Sequence, residues 1–211
     1  MKALNLLIIL VIFTGILSCQ KDNSPKSTDP TGWFKAGNKP EQYMIGYDEQ
    51  DPKQGLKSGF IQSTEDTITD YSTFGTMMQF CSEKDFKGKR VKMTGYIKTY
   101  GYENTYATMW VRVDDYDKRV TADFDNMMDR PIMSTKPWTQ CVIVFDVPES
   151  QCTINYGLLL LGNGKAWIDK VSFDTVSIST FKTAYYLDEP LGEVQLPQNI
   201  PESPINLDFE E

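Results

Sequence analysis

Two stretches of this 211-residue chain carry the side chains best suited to chemistry. In YATMWVRVD, Tyr106 to Asp114, period-two alternation puts Ala107, Met109, Val111 and Val113 on one face and Thr108, Trp110 and Arg112 on the other. An indole beside a guanidinium suits a sugar, because the C–H face of a pyranose lies on the ring while its hydroxyls bond to the cation. The same pair also reads as a rim-packed Trp110 stacked by Arg112 for stability alone. The second stretch is DFDNMMDRPI, Asp123 to Ile132. Its Asp123, Asn126 and Arg130 could stand at the rim of such a site and supply hydrogen bonds. The alternative is an Asx turn and an internal salt bridge that order a connection, with Met127 or Met128 in the core and Pro131 fixing the exit.

Much other chemistry is excluded. The chain has no histidine, so a nucleophilic triad lacks its usual base and a His-based metal site cannot form. The carboxylate pairs Asp114 with Asp115 and Asp123 with Asp125 are local in sequence, whereas glycoside hydrolysis needs two carboxyls facing each other across the substrate. A binding protein without catalysis is the expectation. The formal net charge is −8, and no Lys/Arg cluster is dense enough to release counterions from a phosphate backbone, which argues against nucleic acid.

The elements that must position these residues are strands. RVKMTGYIKT alternates Val91, Met93, Gly95 and Ile97 against Lys92, Thr94, Tyr96 and Lys98, and similar runs recur as LKSGFIQS, FGTMMQF, YATMWVRVD, KRVTADF, CVIVFDV, INYGLLLL and AWIDKVSFDTV. Eight or nine strands at this spacing, with no helical periodicity, predict an all-β fold, an antiparallel jelly-roll β-sandwich. Trp33, Trp138 and Trp167 read as core or strand-start anchors. Cys81, Cys141 and Cys152 read as buried free thiols, with a Cys141–Cys152 bridge as the alternative.

The N-terminus addresses location. MKALNLLIILVIFTGILSC has one early lysine, an apolar stretch too short to span a bilayer, and small Ser18 before Cys19. Residues 1–18 read as a signal peptide whose end resembles a bacterial lipobox, so Cys19 is expected to be lipidated and to anchor the protein to a membrane. Residues 19–31 are a polar tether, and Gln20-Lys21-Asp22 resembles the export tag of Bacteroidetes-type lipoproteins. Outer-membrane attachment with surface exposure is the expectation, and a periplasm-facing position the alternative.

Between these ends, GWF at Gly32 to Phe34, YDEQDPKQGLKSGFIQS, FKGKRVKMTGYIKT, MWVRVD, DFDNMMDRPI, FDVP and YGLLLLGNGKAWID resemble, in order, a galactose-binding-like jelly roll related to carbohydrate-binding modules. The version appended to some AraC-type regulators is similar. The resemblance implies one domain over residues 32–178 and a carbohydrate or other neutral polar ligand. It also implies no cofactor beyond a structural calcium, held by Asp48 and Asp169, although Lys170 stands where relatives carry a second Asp. The other reading is an envelope structural or protein-interaction domain with no small-molecule ligand. Residues 179–211 read as a Pro- and acid-rich tail, an extended linker rather than part of the core. Residues 206–210 are expected to return as an edge strand with Leu207 and Phe209 inward, or to pair with a second copy in a strand-swapped dimer.

Overall fold

A strand with one apolar face must bury it against another layer, and the alternation in this chain yields two such layers. The computed structural model describes residues 29–64, 68, 72–187, 189–192 and 197–211. Cys19, residues 1–18 and the tether up to residue 28 lie outside the described residues. The strands are β1 (Phe34–Gly37), β2 (Tyr43–Asp48), β3 (Ser58–Ser63), β4 (Phe74–Ser82), β5 (Arg90–Gly101), β6 (Tyr106–Asp115), β7 (Val120–Asp125), β8 (Ile132–Met133), β9 (Lys136–Asp146), β10 (Cys152–Leu161) and β11 (Gly164–Val176). One sheet has the order β1-β4-β10-β6-β7, with β8 beside β6, and the other the order β2-β3-β11-β5-β9. All pairings are antiparallel. The fold is the all-β jelly-roll sandwich.

The inward faces follow the pattern in the sequence. Val91, Met93 and Ile97 of β5 meet Ala107, Met109, Val111 and Val113 of β6 in one core, all fully buried. Trp33 joins them and stacks on Phe209. Trp138 and Trp167 do not, so the core half of their reading fails and the strand-start half holds: each lies near the start of its strand, β9 or β11, half-buried on the outer face of the second sheet with the Lys98 ammonium over both rings. Cys81, Cys141 and Cys152 are buried free thiols. The short strands β1 and β2, which alternation alone did not mark, open the two sheets.

The C-terminal tail departs from expectation in two ways. It is no free linker: Thr183 and Ala184 donate to the Val144 carbonyl of β9, and Tyr185 exchanges two backbone hydrogen bonds with Phe124 on the free edge of β7. Its last residues also return without forming an edge strand. Asn206 and Phe209 have positive φ, and residues 207–209 make a turn. A turn replaces the strand because Glu210 must reach the β2–β3 loop, where its carboxylate accepts from the Leu56 and Lys57 amides, while Val171 N–H bonds the Leu207 carbonyl. Phe209 is nonetheless fully buried and Leu207 packs partly on the core. Gly59 on β3 is required beneath the ring, since a Cβ there would overlap Phe209 Cε1 and lie 2.7 Å from Met77 Cε.

Candidate ligand-binding groove

On the first sheet, the residues that alternation turns away from the core gather in a groove of about 520 Å³. Antiparallel register sets its rows. Met78 on β4, Gly157 on β10 and Trp110 on β6 lie side by side, and Arg112 on β6 lies between Asn155 on β10 and Phe124 on β7. Gly157 carries no side chain because the β4 backbone approaches too closely, with Met78 Cα 2.9 Å from where a Cβ would stand. The bare backbone leaves room above β10. The half-buried Trp110 indole crosses it to β4, where Nε1 donates to Thr76 Oγ1 at 2.9 Å and Thr76 in turn donates to the Leu158 carbonyl at 2.9 Å. With its only N–H used inside the protein, Trp110 offers a ligand its ring and nothing else.

Arg112 is held beside it. Nε and Nη2 both donate to Asp114 Oδ2, at 3.2 and 2.8 Å, and Asn155 Nδ2 donates to the same oxygen at 3.0 Å. Asp114 is almost fully buried, whereas the Arg112 side chain is 46% exposed. The carboxylate therefore aims the guanidinium and cancels its charge, and Nη1 is left without a partner among the described residues. Asn126 completes the polar set. Its Oδ1 caps the Met128 amide at 3.2 Å, its Nδ2 has no partner among the described residues, and the residue lines the groove. Among the described residues, Thr76, Arg112 and Asn126 are the polar members of an otherwise apolar lining that includes Phe74, Phe124 and Leu159, with no carboxylate.

Two of the site residues named from the sequence belong elsewhere. On β7 the polar residues face inward: Thr121, Asp123 and Asp125 are buried, and Phe124 takes the groove side. Asp123 Oδ1 bonds Lys182 Nζ at 2.7 Å and its Oδ2 accepts from the Asp146 amide at 2.7 Å. Burial pushes the Asp123 carboxyl above its ordinary range against the opposing pull of Lys182. Arg130 is likewise committed inside its loop, to Asp125 Oδ2 and Asp129 Oδ1 at 2.6 Å each. Asp125 Oδ1 also caps the Met127 amide, and Met127 enters the core. The DFDN loop is thus mainly a structural turn that contributes Asn126 and Met128 to the groove. Phe124 was missed because an apolar face normally points inward; on this edge strand the acid-bearing face does so, to meet Lys182 of the tail.

The proposed calcium ligands do not fit a cation. Asp48 Oδ2 accepts from Lys165 Nζ at 2.5 Å and from Trp167 Nε1 at 2.7 Å, so an ammonium already occupies its charge. Burial would raise its carboxyl, but Lys165, Trp167 and the Gln50 amide prevail and hold it below the ordinary range. Asp169 accepts from the amides of Lys53, Gln54 and Lys170 at 2.6 to 2.9 Å. Burial still leaves its carboxyl raised despite those donors. Each acid is spent on its own set of protein donors.

No family model matches the chain. It is 35% identical over 192 residues to the uncharacterized HTH-type transcriptional regulator YbfP of Bacillus subtilis, a match that covers 91% of this chain. The chain spans 61% of that regulator's length. Among solved structures, the family 22 xylan-binding domain of Paenibacillus barcinonensis Xyn10C is similar, with a TM-score of 0.50 at 15% identity, covering 74% of this chain and 93% of that domain. The C-terminal family 22 carbohydrate-binding module of Clostridium thermocellum Xyn10B has a TM-score of 0.49 at 11% identity, covering 73% of this chain and 94% of the module. In fold, this chain is a β-sandwich of the kind found in carbohydrate-binding modules.

Proposed function

We propose that this protein is a non-catalytic binding module that takes a neutral carbohydrate in the groove on the outer face of the β1-β4-β10-β6-β7 sheet. The observation that carries the reading is the Trp110 indole, laid across β10 by its bond to Thr76, with the Arg112 and Asn126 donors beside it. An aromatic face with a few placed donors in an apolar groove is how binding sites combine affinity with orientation. The charge balance favours a neutral ligand, because Arg112, the one cation in the lining among the described residues, is paired with Asp114. Among the described residues no carboxylate lines the groove, and the chain has no histidine, which supports binding without general acid–base chemistry. The likeness in fold to carbohydrate-binding modules supports the same ligand class.

In this reading lipidation at Cys19 tethers the module to the outer membrane, facing the surface or the periplasm. Cys19→Ala should move the protein to the soluble fraction, and a variant that stays with salt-washed membranes refutes the anchor. A second reading, a domain that docks on protein partners, is favoured by Ile178 and Phe181, which are 73% and 83% exposed. A glycan array decides between the two. The purified protein should retain neutral glycans and Trp110→Ala should lose them at unchanged melting temperature; a wild-type protein that retains none favours the docking domain.

A further inference from the structure

The tail does more than cover an edge. Tyr185 pairs with Phe124 through two backbone hydrogen bonds of 3.0 Å, Phe124 N–H to the Tyr185 carbonyl and Tyr185 N–H to the Phe124 carbonyl. It therefore acts as one further antiparallel partner beyond β7. Residues paired across a sheet point to the same side, so Tyr185 stands on the groove face, in the row that runs Asn155, Arg112, Phe124, Tyr185. The two aromatic rings have centroids 5.8 Å apart and planes at 89°, which makes a corner rather than a flat platform. Tyr185 is 50% exposed, and its hydroxyl has no partner among the described residues. The groove itself ends at Phe124, Asn126 and Met128, one strand short of it.

We infer that Tyr185 forms an outer subsite, and that the ligand is a linear oligosaccharide read across the strands rather than a single sugar. This inference rests on the groove being a sugar site. Trp110 and Arg112 hold one ring of the ligand. The next strand spacing, about 4.8 Å, is close to the length of a β-linked pyranose, so each strand outward accommodates one more ring, ending at the corner of Phe124 and Tyr185. The tail supplies a specificity element that the sandwich alone lacks. It is held there by contacts away from the ring: Lys182 on Asp123, Thr183 Oγ1 accepting from the Val144 amide, and Arg90 Nη1 donating to the carbonyls of Ile178 and Thr180.

The test is calorimetric titration of the full chain with gluco-, xylo- and galacto-oligosaccharides, from single sugars to hexasaccharides, using the series that the wild type binds best. Wild-type affinity should rise with length and then level off. Tyr185→Ala should lose roughly 3- to 10-fold for the long members, leave the short members unchanged, and level off at a shorter chain. Tyr185→Phe should behave as wild type if the ring alone acts. Thermal unfolding of each variant reports whether the tail stays seated, and Tyr185→Leu, which keeps a side chain on the edge, serves if the alanine variant loosens it. An equal loss at every length, or no loss at any, overturns the outer subsite while leaving the groove as a sugar site. A wild type that binds none of the series overturns the groove as a sugar site and the subsite with it.

Discussion

Phe209 is the residue whose removal most directly tests whether the tail is part of the fold. Its ring is fully buried, 5.1 Å from Trp33 at an interplanar angle of 28°, and lies over Gly59. Replacing a buried Phe by Ala costs about 3–5 kcal/mol through lost transfer energy and the cavity left behind. For a chain of this size each kcal/mol lowers the melting temperature by about 2–4 °C, so Phe209→Ala should melt about 6–20 °C lower. Gly59→Ala makes the opposite error, because its Cβ would overlap the Phe209 ring, and overpacking costs about 1–3 kcal/mol. In the double variant the methyl enters the space the ring has left. The two losses should then fall short of their sum by about 1–3 kcal/mol, as coupled neighbours do. Urea unfolding followed by tryptophan fluorescence and circular dichroism measures all three variants. Strict additivity, or a Phe209→Ala loss below about 1 kcal/mol, would refute the buried tail.

Other outcomes follow from the charges and thiols. Asp146, held low by its bidentate bond to Arg90, and Asp48, held low against its burial by Lys165 and Trp167, stabilise the fold above their ordinary value of 3.8. That stability is lost as the pH falls below 3.8 through their folded values. Asp123 and Asp169, raised by burial, have the opposite sign: they oppose folding at neutral pH, and the penalty fades as the pH falls through their raised values toward 3.8. Asp146→Asn should therefore flatten the acid limb of a pH–stability curve, and an unchanged limb would show that the Arg90 pair is not its source. Calcium or a chelator should leave the melting temperature unmoved, since Asp48 and Asp169 already have protein donors; a rise on adding calcium contradicts that account. Burial pushes Cys81, Cys141 and Cys152 up to about 12, so a thiol reagent at neutral pH should label them only after denaturation. Fast labelling of any of the three in the native state would place it at the surface.

The sandwich was legible in the sequence because period two is a local signal: β5 and β6 bury the residues that their alternation marks. Trp110 and Arg112 were legible for the same reason, being what remained on the outer face of a strand whose inner face was apolar. Asp123 and Phe124 were exchanged because β7 is an edge strand, where pattern alone cannot say which side is covered. The ion pair that half-buried Lys182, far along the chain, makes with buried Asp123 decides it. Thr76 and Gly157, which seat the indole, carry no motif; their role exists only once β4, β10 and β6 are in register. The tail misled through its prolines and acids, which suit an extended linker, yet Glu210 and Phe209 find specific partners in the loop after β2 and in the core.

The central claim is that ligand seats on Trp110. The most direct measurement is an amide and indole chemical-shift titration with the best ligand from a glycan array. The account predicts shifts concentrated on the outer face of the first sheet, at Trp110 Nε1–H, Arg112, Asn126 and Phe124, and their loss in Trp110→Ala with the rest of the spectrum intact. Shifts centred instead on Trp138, Trp167 and Lys98 of the opposite sheet, or persisting in Trp110→Ala, would contradict it.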